Sequence, residues 1–239
     1  MGQERSHGRT GILWHLERQA RAEAREAMLA LAEENGGARL LDCGCASGQL
    51  TAQLGMRVGT SKLYGIDISE TNAQHARDCN VDALVADLNA GIPFDDASFD
   101  VVHTSQVLEH VLQTDVFIKE IFRVLRPGGC AILSVPNLAS AHNILFLLLG
   151  WQPWTADVSF EAYVGNPLFP RYLTERRSRH LGHVRLFTSR ALRQLIEHHG
   201  FRVERLVGSG FYPFPGWISR TVSKIDPTHS VFLTLRARK

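Results

Sequence analysis

Three aspartates each close a short apolar run: Asp42 after Leu40-Leu41, Asp67 after residues 62–66, and Asp87 after 83–86. An acid at the carboxyl end of a buried strand faces the crevice where open α/β sheets bind ligands. Each acid alone reads equally well as a strand-end or turn residue. Three in succession describe a pocket for an adenosine with a cationic tail. Asp67 can accept both hydroxyls of a ribose. Asp87 can accept the exocyclic amine of an adenine while Leu88 packs on the ring. Asp42 stands just before a glycine turn, Gly44-x-x-x-Gly48, which opens a helix. Glycines let a backbone approach a ligand closely, and a helix N-terminus offers N–H groups. The spacing lacks the middle glycine that admits a pyrophosphate. Asp42 would also repel that group, so a dinucleotide dehydrogenase is disfavoured.

Proton transfer needs a further group. Histidine suits it near neutral pH, and His110, His142 and His183 are the candidates. A surface or packing role competes for each. Asn137 could orient an acceptor or simply form a turn. Cys43-x-Cys45 lacks the second Cys or His pair of a structural zinc site. Both read as small packing residues, and no metal is expected. Trp151, Trp154, Phe160, Tyr163 and Phe169 could form an apolar lid or a small core of their own.

The elements that position these residues alternate. Leu13, Leu16, Ala20, Ala24, Ala27 and Leu31 mark one helix face, which Asn35-Gly36-Gly37 ends. Residues 1–37 therefore read as an N-terminal helical cap, and 38–239 as the main domain. Strands are expected at 39–43, 62–68, 83–86, 100–104 and 130–135. Helices are expected from about 49, from a Ser69 cap to about 79, and over 115–125, the last closed by the turn Arg126-Pro127-Gly128-Gly129. Repeated β-α units with apolar strands imply a parallel sheet covered on both faces. The rhythm breaks at 137–187, an insertion expected over the ligand edge. A helix at 189–199, a strand at 201–207, a short helix near 217–225 and a strand at 229–236 complete the order.

The chain has 239 residues, 44% hydrophobic and 21% charged, which suits a globular fold and excludes disorder as the main state. The net charge is 26 − 24 = +2, too balanced for a dedicated nucleic-acid protein. Acids crowd residues 67–100 and arginines 171–193. These are two solvated faces, or a basic rim over a site for an acidic substrate. The longest apolar run, 144–150, is far short of the roughly 20 residues of a membrane span. No basic-then-apolar signal segment opens the chain, so a reducing cytoplasm is the expected compartment.

The set LLDCGCASG, GIDIS, VADLN, FDVVHTSQVLEHV and LRPGG, over about 38–137, resembles the class I S-adenosylmethionine-dependent methyltransferases, types 11 and 12 among them. Residues 183–201 extend the likeness. It implies a Rossmann-like, doubly wound α/β sheet of seven strands, mostly parallel, with the last antiparallel. It implies Asp42, Gly44 and Gly48 around the methionine portion, Asp67 on the ribose, and Cys45 and Ile68 among the cofactor-binding residues. It further implies Asp87-Leu88 at the adenine, and Ser105 and Gln106 on the floor near the sulfonium. Ala46 departs from the glycine of many members. Val107-Leu108-Glu109-His110 looks like a stretch of quinone-type O-methyltransferases. Some of these add a carboxylate where Gln106 stands and hold a divalent metal, but an amide is a poor ligand for a hard cation. Residues 134–150 look locally like a methyltransferase-like accessory family of methionine biosynthesis.

The implied activity is methyl transfer to a small-molecule acceptor, at oxygen before nitrogen or carbon. The basic insertion favours an anionic or sugar-like acceptor. A non-catalytic protein of the same fold, acting through a partner protein, is the competing reading. Action on RNA or protein is weakened by the charge balance.

Overall fold

A computed structural model describes residues 12–159, 161–162, 164–168 and 182–239. Five parallel strands come first: β1 (Arg39–Cys43), β2 (Lys62–Asp67), β3 (Asp82–Val85), β4 (Phe99–Ser105) and β5 (Leu125–Pro136). β6 (Arg202–Ser209) and β7 (Phe232–Arg238) follow, and β7 runs antiparallel to both β5 and β6. The order β3-β2-β1-β4-β5-β7-β6 is the doubly wound, seven-stranded arrangement expected. Strand order reverses between β1 and β4, which opens a crevice beyond their carboxyl ends.

Alternation along the strands feeds two cores. Leu40 and Ile132 pack on one face with Met28 of α1 (Ile12–Leu31), Leu54 and Val58 of α2 (Gln49–Val58), and Ala73 and Ala76 of α3 (Glu70–Asp78). Leu41, Val102 and Leu133 pack on the other. Their partners there are Phe117 and Ile121 of α4 (Thr114–Val124) and Leu192 and Ile196 of α6 (Ser189–His198). α1 lies against β5, β6 and β7 through Ala20, Ala24, Met28 and Leu31. Its buried Glu23 accepts from Gly210 N and from Ser219 Oγ of α7 (Gly216–Ile225), both at 3.0 Å. Caps set the helix starts: Ser69 Oγ accepts from Asn72 N, and Thr188 Oγ1 from Ala191 N.

Several boundaries differ from the sequence reading, those around β5, β6 and β7 among them. Arg126-Pro127-Gly128-Gly129 is a bulge inside β5 rather than a turn ahead of it. Leu125 already pairs with Phe99, and pairing resumes at Cys130↔Val101. Gly128 takes φ +80°, and the Arg126 guanidinium holds both Asp100 oxygens at 2.9 Å. β6 and β7 begin one and three residues later than read (202 against 201, 232 against 229). The second delay arises because Asp226 Oδ1 accepts from Thr228 N and His229 N, folding Pro227–His229 into a 3-10 turn.

Within 137–187, α5 (Ala141–Leu148) follows β5, and Asn137 bridges Phe187. Phe146 of α5 stacks with Trp151 and Trp154. Phe160, Tyr163, Phe169 and the arginines at 171–179 lie outside the described residues.

Candidate functional site

The turn after β1 is held from below and from the side. Gly44 N and Cys45 N both donate to Ile66 O, which ties the turn to β2. Gly44, Ala46 and Gly48 have φ of 81°, 46° and 74°. A Cβ on Gly48 would lie 2.7 Å from the Ala76 backbone, and one on Gly44 2.3 Å from Val107 Cγ2. Both glycines are thus required by close neighbours as well as by φ. Cys45 is buried over Gly65. Burial, then the Asp42 and Asp67 charges, push its thiol up to about 12, and burial raises Cys43 as well. Neither thiol has the electropositive, exposed setting of a reactive cysteine.

Asp42 does not line the surface of the crevice. It is buried, accepting from Thr51 Oγ1 at 2.5 Å and meeting His103 Nδ1 at 2.7 Å. His103 Nε2 in turn lies 3.1 Å from Met28 Sδ of α1. Asp42 therefore braces the turn from beneath. Sequence reasoning passed over His103, and its signal was a polar residue in an apolar strand, in register with Asp42 across β1 and β4.

Asp67 reaches the crevice edge. Its Oδ2 accepts from Ala46 N at 2.9 Å, and its Oδ1 from Ser69 N at 2.9 Å and Asn72 Nδ2 at 3.1 Å. Ile68 beside it is 65% exposed, an apolar surface next to a carboxylate. Asp87 is exposed and Leu88 buried. Asp87 Oδ1 accepts from Asn89 N and Nδ2, and Asn89 Oδ1 accepts from Leu112 N, tying this loop to the one after β4. The strand ends thus offer carboxylates and an apolar side chain at one edge, an acceptor set that fits a nucleoside with a cationic tail.

Ser105 and Gln106 are half-buried at the end of β4. Gln106 has φ 57°, and its N donates to Ser134 O. The chain then turns Glu109 inward. Glu109 is fully buried, and neither carboxyl oxygen has a partner among the described residues. Burial pushes its carboxyl up to about 8. Residues 182–185 lock this loop. Val184 N and Arg185 N donate to Glu109 O, and His110 Nδ1 donates to Gly182 O at 3.2 Å. His183 Nδ1 donates to Thr155 O at 2.8 Å, and its N to Asp157 Oδ2. The His110 and His183 rings are 4.9 Å apart. A carboxyl oxygen of Glu109 and a ring nitrogen of each histidine all lie within 4.8 Å of one another. The carboxylate that some quinone-type enzymes place after β4 is an amide here, and His183 arrives from the insertion instead.

His142 is not brought to this cluster by any contact described. It packs among Tyr212, Trp154 and Phe146, with ring centroids 4.8, 5.6 and 5.9 Å away. Burial there lowers its pKa to about 4. The folded imidazole stays neutral between pH 6.5 and 4, whereas the unfolded one takes up a proton. Stability is therefore fully present above about pH 6.5 and falls as pH drops toward 4. Allowing for partial exposure, the loss is about 1–2 kcal/mol. Urea unfolding at pH 7 and 4.5 should show His142→Phe losing less on acidification than wild type. Equal losses would show that His142 does not carry this acid sensitivity.

Residues 15–206 match a family described as a methyltransferase domain. A Mycolicibacterium smegmatis protein named "Probable S-adenosylmethionine-dependent methyltransferase/" is 32% identical over 183 residues, 74% of this chain and 57% of its own length. The ubiquinone biosynthesis O-methyltransferase of Rattus norvegicus mitochondria is 27% identical, over 76% of this chain and 49% of its own. The chain thus spans about half the length of these relatives. A Mesorhizobium loti S-adenosylmethionine-dependent methyltransferase structure aligns with TM-score 0.63 at 24% identity, covering 94% of this chain and 100% of that one. A Thermotoga maritima structure described as a possible histamine N-methyltransferase aligns with TM-score 0.65 at 20% identity, over 95% and 93%. No described helix is long and apolar enough to cross a membrane. Sequence match and strand order agree: the chain belongs to the methyltransferase-domain family, with the class I S-adenosylmethionine-dependent fold.

Proposed function

We propose that this chain transfers a methyl group from S-adenosylmethionine to an oxygen of a small-molecule acceptor. The observation that carries the reading is a juxtaposition: Glu109 and His110, on the loop that follows Ser105 and Gln106 at the end of β4, meet His183 from the insertion. When bound, S-adenosylmethionine supplies a methyl group already activated on a sulfonium. Asp67 takes the ribose hydroxyls, Ile68 and Leu88 flank the adenine, and Asp87 accepts its amine. Gly44, Cys45 and Gly48 shape the turn around the methionine portion, which Asp42 braces. Ser105 and Gln106 form the floor. A hydroxyl acceptor must lose a proton, and imidazoles at a buried carboxyl are suited to handle it. His110 and His183 take this role, while His142 supports the insertion as a packing residue. The relatedness to ubiquinone O-methyltransferases supports oxygen as the acceptor atom. Arg185, Arg190 and Arg193 keep a basic character near the insertion, which supports an anionic or sugar-like acceptor.

Thermal unfolding with S-adenosylmethionine, its demethylated product, or NAD tests the cofactor. At about 100 times the dissociation constant, binding adds roughly 2.7 kcal/mol, or about 5–10 °C at this size. The first two ligands should shift the transition and NAD should not. Transfer of an isotopically labelled methyl group to hydroxylated acceptors then tests the reaction. Transfer only to nitrogen would overturn the acceptor assignment. Cofactor binding without transfer to any acceptor pool would favour the partner-binding reading.

A further inference from the structure

We infer that Ser140 and Asn143, at the start of α5, form the recognition end of the acceptor site, and that they select a neutral polyol of the glycoside kind rather than an anion. The methyl transfer this site would serve rests on the oxygen-acceptor reading; its ligand binding does not. Ser140 and Asn143 are both fully buried, and Ser140 Oγ and Asn143 Oδ1 have no partner among the described residues. His142 Nδ1, between them in sequence, is buried and unpartnered as well. Buried polar groups are almost always satisfied, so three in one helical turn mark a missing partner.

The open ends of these side chains are fixed. Asn143 Nδ2 donates to Asn137 O at 3.1 Å and to Thr155 Oγ1 at 3.0 Å. A backbone carbonyl only accepts, so the amide cannot be turned round, and Oδ1 is its open end. Ser140 is the N-cap residue of α5, yet its hydroxyl makes no bond to the first turn. Both hydrogen-bonding capacities are left for a group that the protein does not supply.

The position suits an acceptor. Gln106 N donates to Ser134 O, which sets the end of β5 beside the floor proposed for the sulfonium. Thr155 joins the two ends of the site. Its Oγ1 meets Asn143 Nδ2, and its carbonyl accepts from His183 Nδ1 at 2.8 Å. The His183 ring lies 4.9 Å from that of His110. Both open atoms are closed off from solvent, so the acceptor enters as the bond between Asn143 and Thr155 opens.

The open atoms set the class of ligand. Asn143 Oδ1 needs a donor, and a carboxylate or phosphate supplies none. An ammonium supplies only donors and opposes the positive end of a helix. A neutral hydroxyl both donates to Oδ1 and accepts from Ser140 or the uncapped first turn. One hydroxyl cannot meet three separate atoms, so the ligand carries several. The rings of Tyr212, Trp154 and Phe146 lie 4.8, 5.6 and 5.9 Å from that of His142, an apolar wall for the C–H face of a saturated ring.

The test uses full-length protein saturated with the demethylated cofactor and reads saturation-transfer NMR. The probes are the methyl glycosides of glucose, galactose, mannose and rhamnose, with benzoate and phenyl phosphate as anionic controls. Glycoside protons should receive magnetisation, and those of the controls should not. Ser140→Ala and Asn143→Ala should each weaken glycoside binding about three- to tenfold, the worth of one hydrogen bond. Both should keep the wild-type circular dichroism and the S-adenosylmethionine-induced thermal shift. Ser140→Ala should not lower the urea midpoint, because its hydroxyl is unmet without ligand. A lowered midpoint would show that an internal water or the fold already uses that hydroxyl, and would overturn the site. So would silence from all four glycosides, or equal binding in wild type and Ser140→Ala. Signal from the anionic probes alone would overturn the class of ligand. Labelled-methyl transfer separates the two readings. Transfer to phenols or acids alone would keep oxygen methylation and overturn the polyol. Glycoside binding without transfer to any acceptor would keep the site and overturn the transfer.

Discussion

His103→Leu should destabilise the fold by about 1–3 kcal/mol, the usual loss when a buried polar group is left without its partner. His103 and Asp42 are both buried, and they meet at 2.7 Å between adjacent strands. Leucine fills much of the ring's volume, so the loss arises mainly from stranding Asp42 Oδ1. Thr51 satisfies only the other oxygen. The double variant Asp42→Asn/His103→Leu should recover part of the stability, because an amide tolerates burial better than a carboxylate. Urea unfolding of both single variants and the double, read as a double-mutant cycle, gives the coupling. A loss under about 1 kcal/mol for His103→Leu would show that the pair contributes little. The site should respond too, since Asp42 directly precedes the turn and His103 directly touches Met28 of α1.

Asp67→Ala should weaken S-adenosylmethionine binding 10–100-fold, about 1.4–2.7 kcal/mol. Two effects combine. The variant removes the acceptor proposed for the ribose, and it releases the N–H groups of Ala46 and Ser69 and the amide of Asn72. Ala46 has a positive φ without being glycine, so its bond to Asp67 matters for keeping the turn in place. Asp67→Asn keeps the shape but substitutes a donor for one acceptor, so it should retain less than full affinity. Calorimetric titration on protein shown to be folded checks both variants. Unchanged affinity in Asp67→Ala would remove Asp67 from the site.

Much of this protein is legible in one dimension. Apolar strands ending in Asp42 and Asp67, a glycine turn at 44–48 and a Ser69 cap are local patterns, fixed by residues a few positions apart. The alternation of such units implies a parallel sheet, and the absent middle glycine implies a ligand other than a dinucleotide. The late strands were harder to place. A 3-10 turn capped by Asp226 consumes residues that β-propensity assigns to β7, and a bulge inside β5 looks like a plain turn.

What the sequence could not rank was its charged residues. Asp42, Asp67 and Asp87 look alike on paper. In the fold one is buried under the turn, one bonds the turn at the crevice edge, and one is exposed. Eleven histidines gave three candidates. Tertiary structure alone places His142 in an aromatic cluster, pairs His103 with a residue 61 positions away, and brings His183 from the insertion onto Glu109 and His110. The reason is physical. Strand, turn and cap preferences are decided by nearest neighbours and burial period. The partner of a buried polar atom is decided by which distant segments the sheet order makes adjacent, and that order is set by the packing of the whole chain.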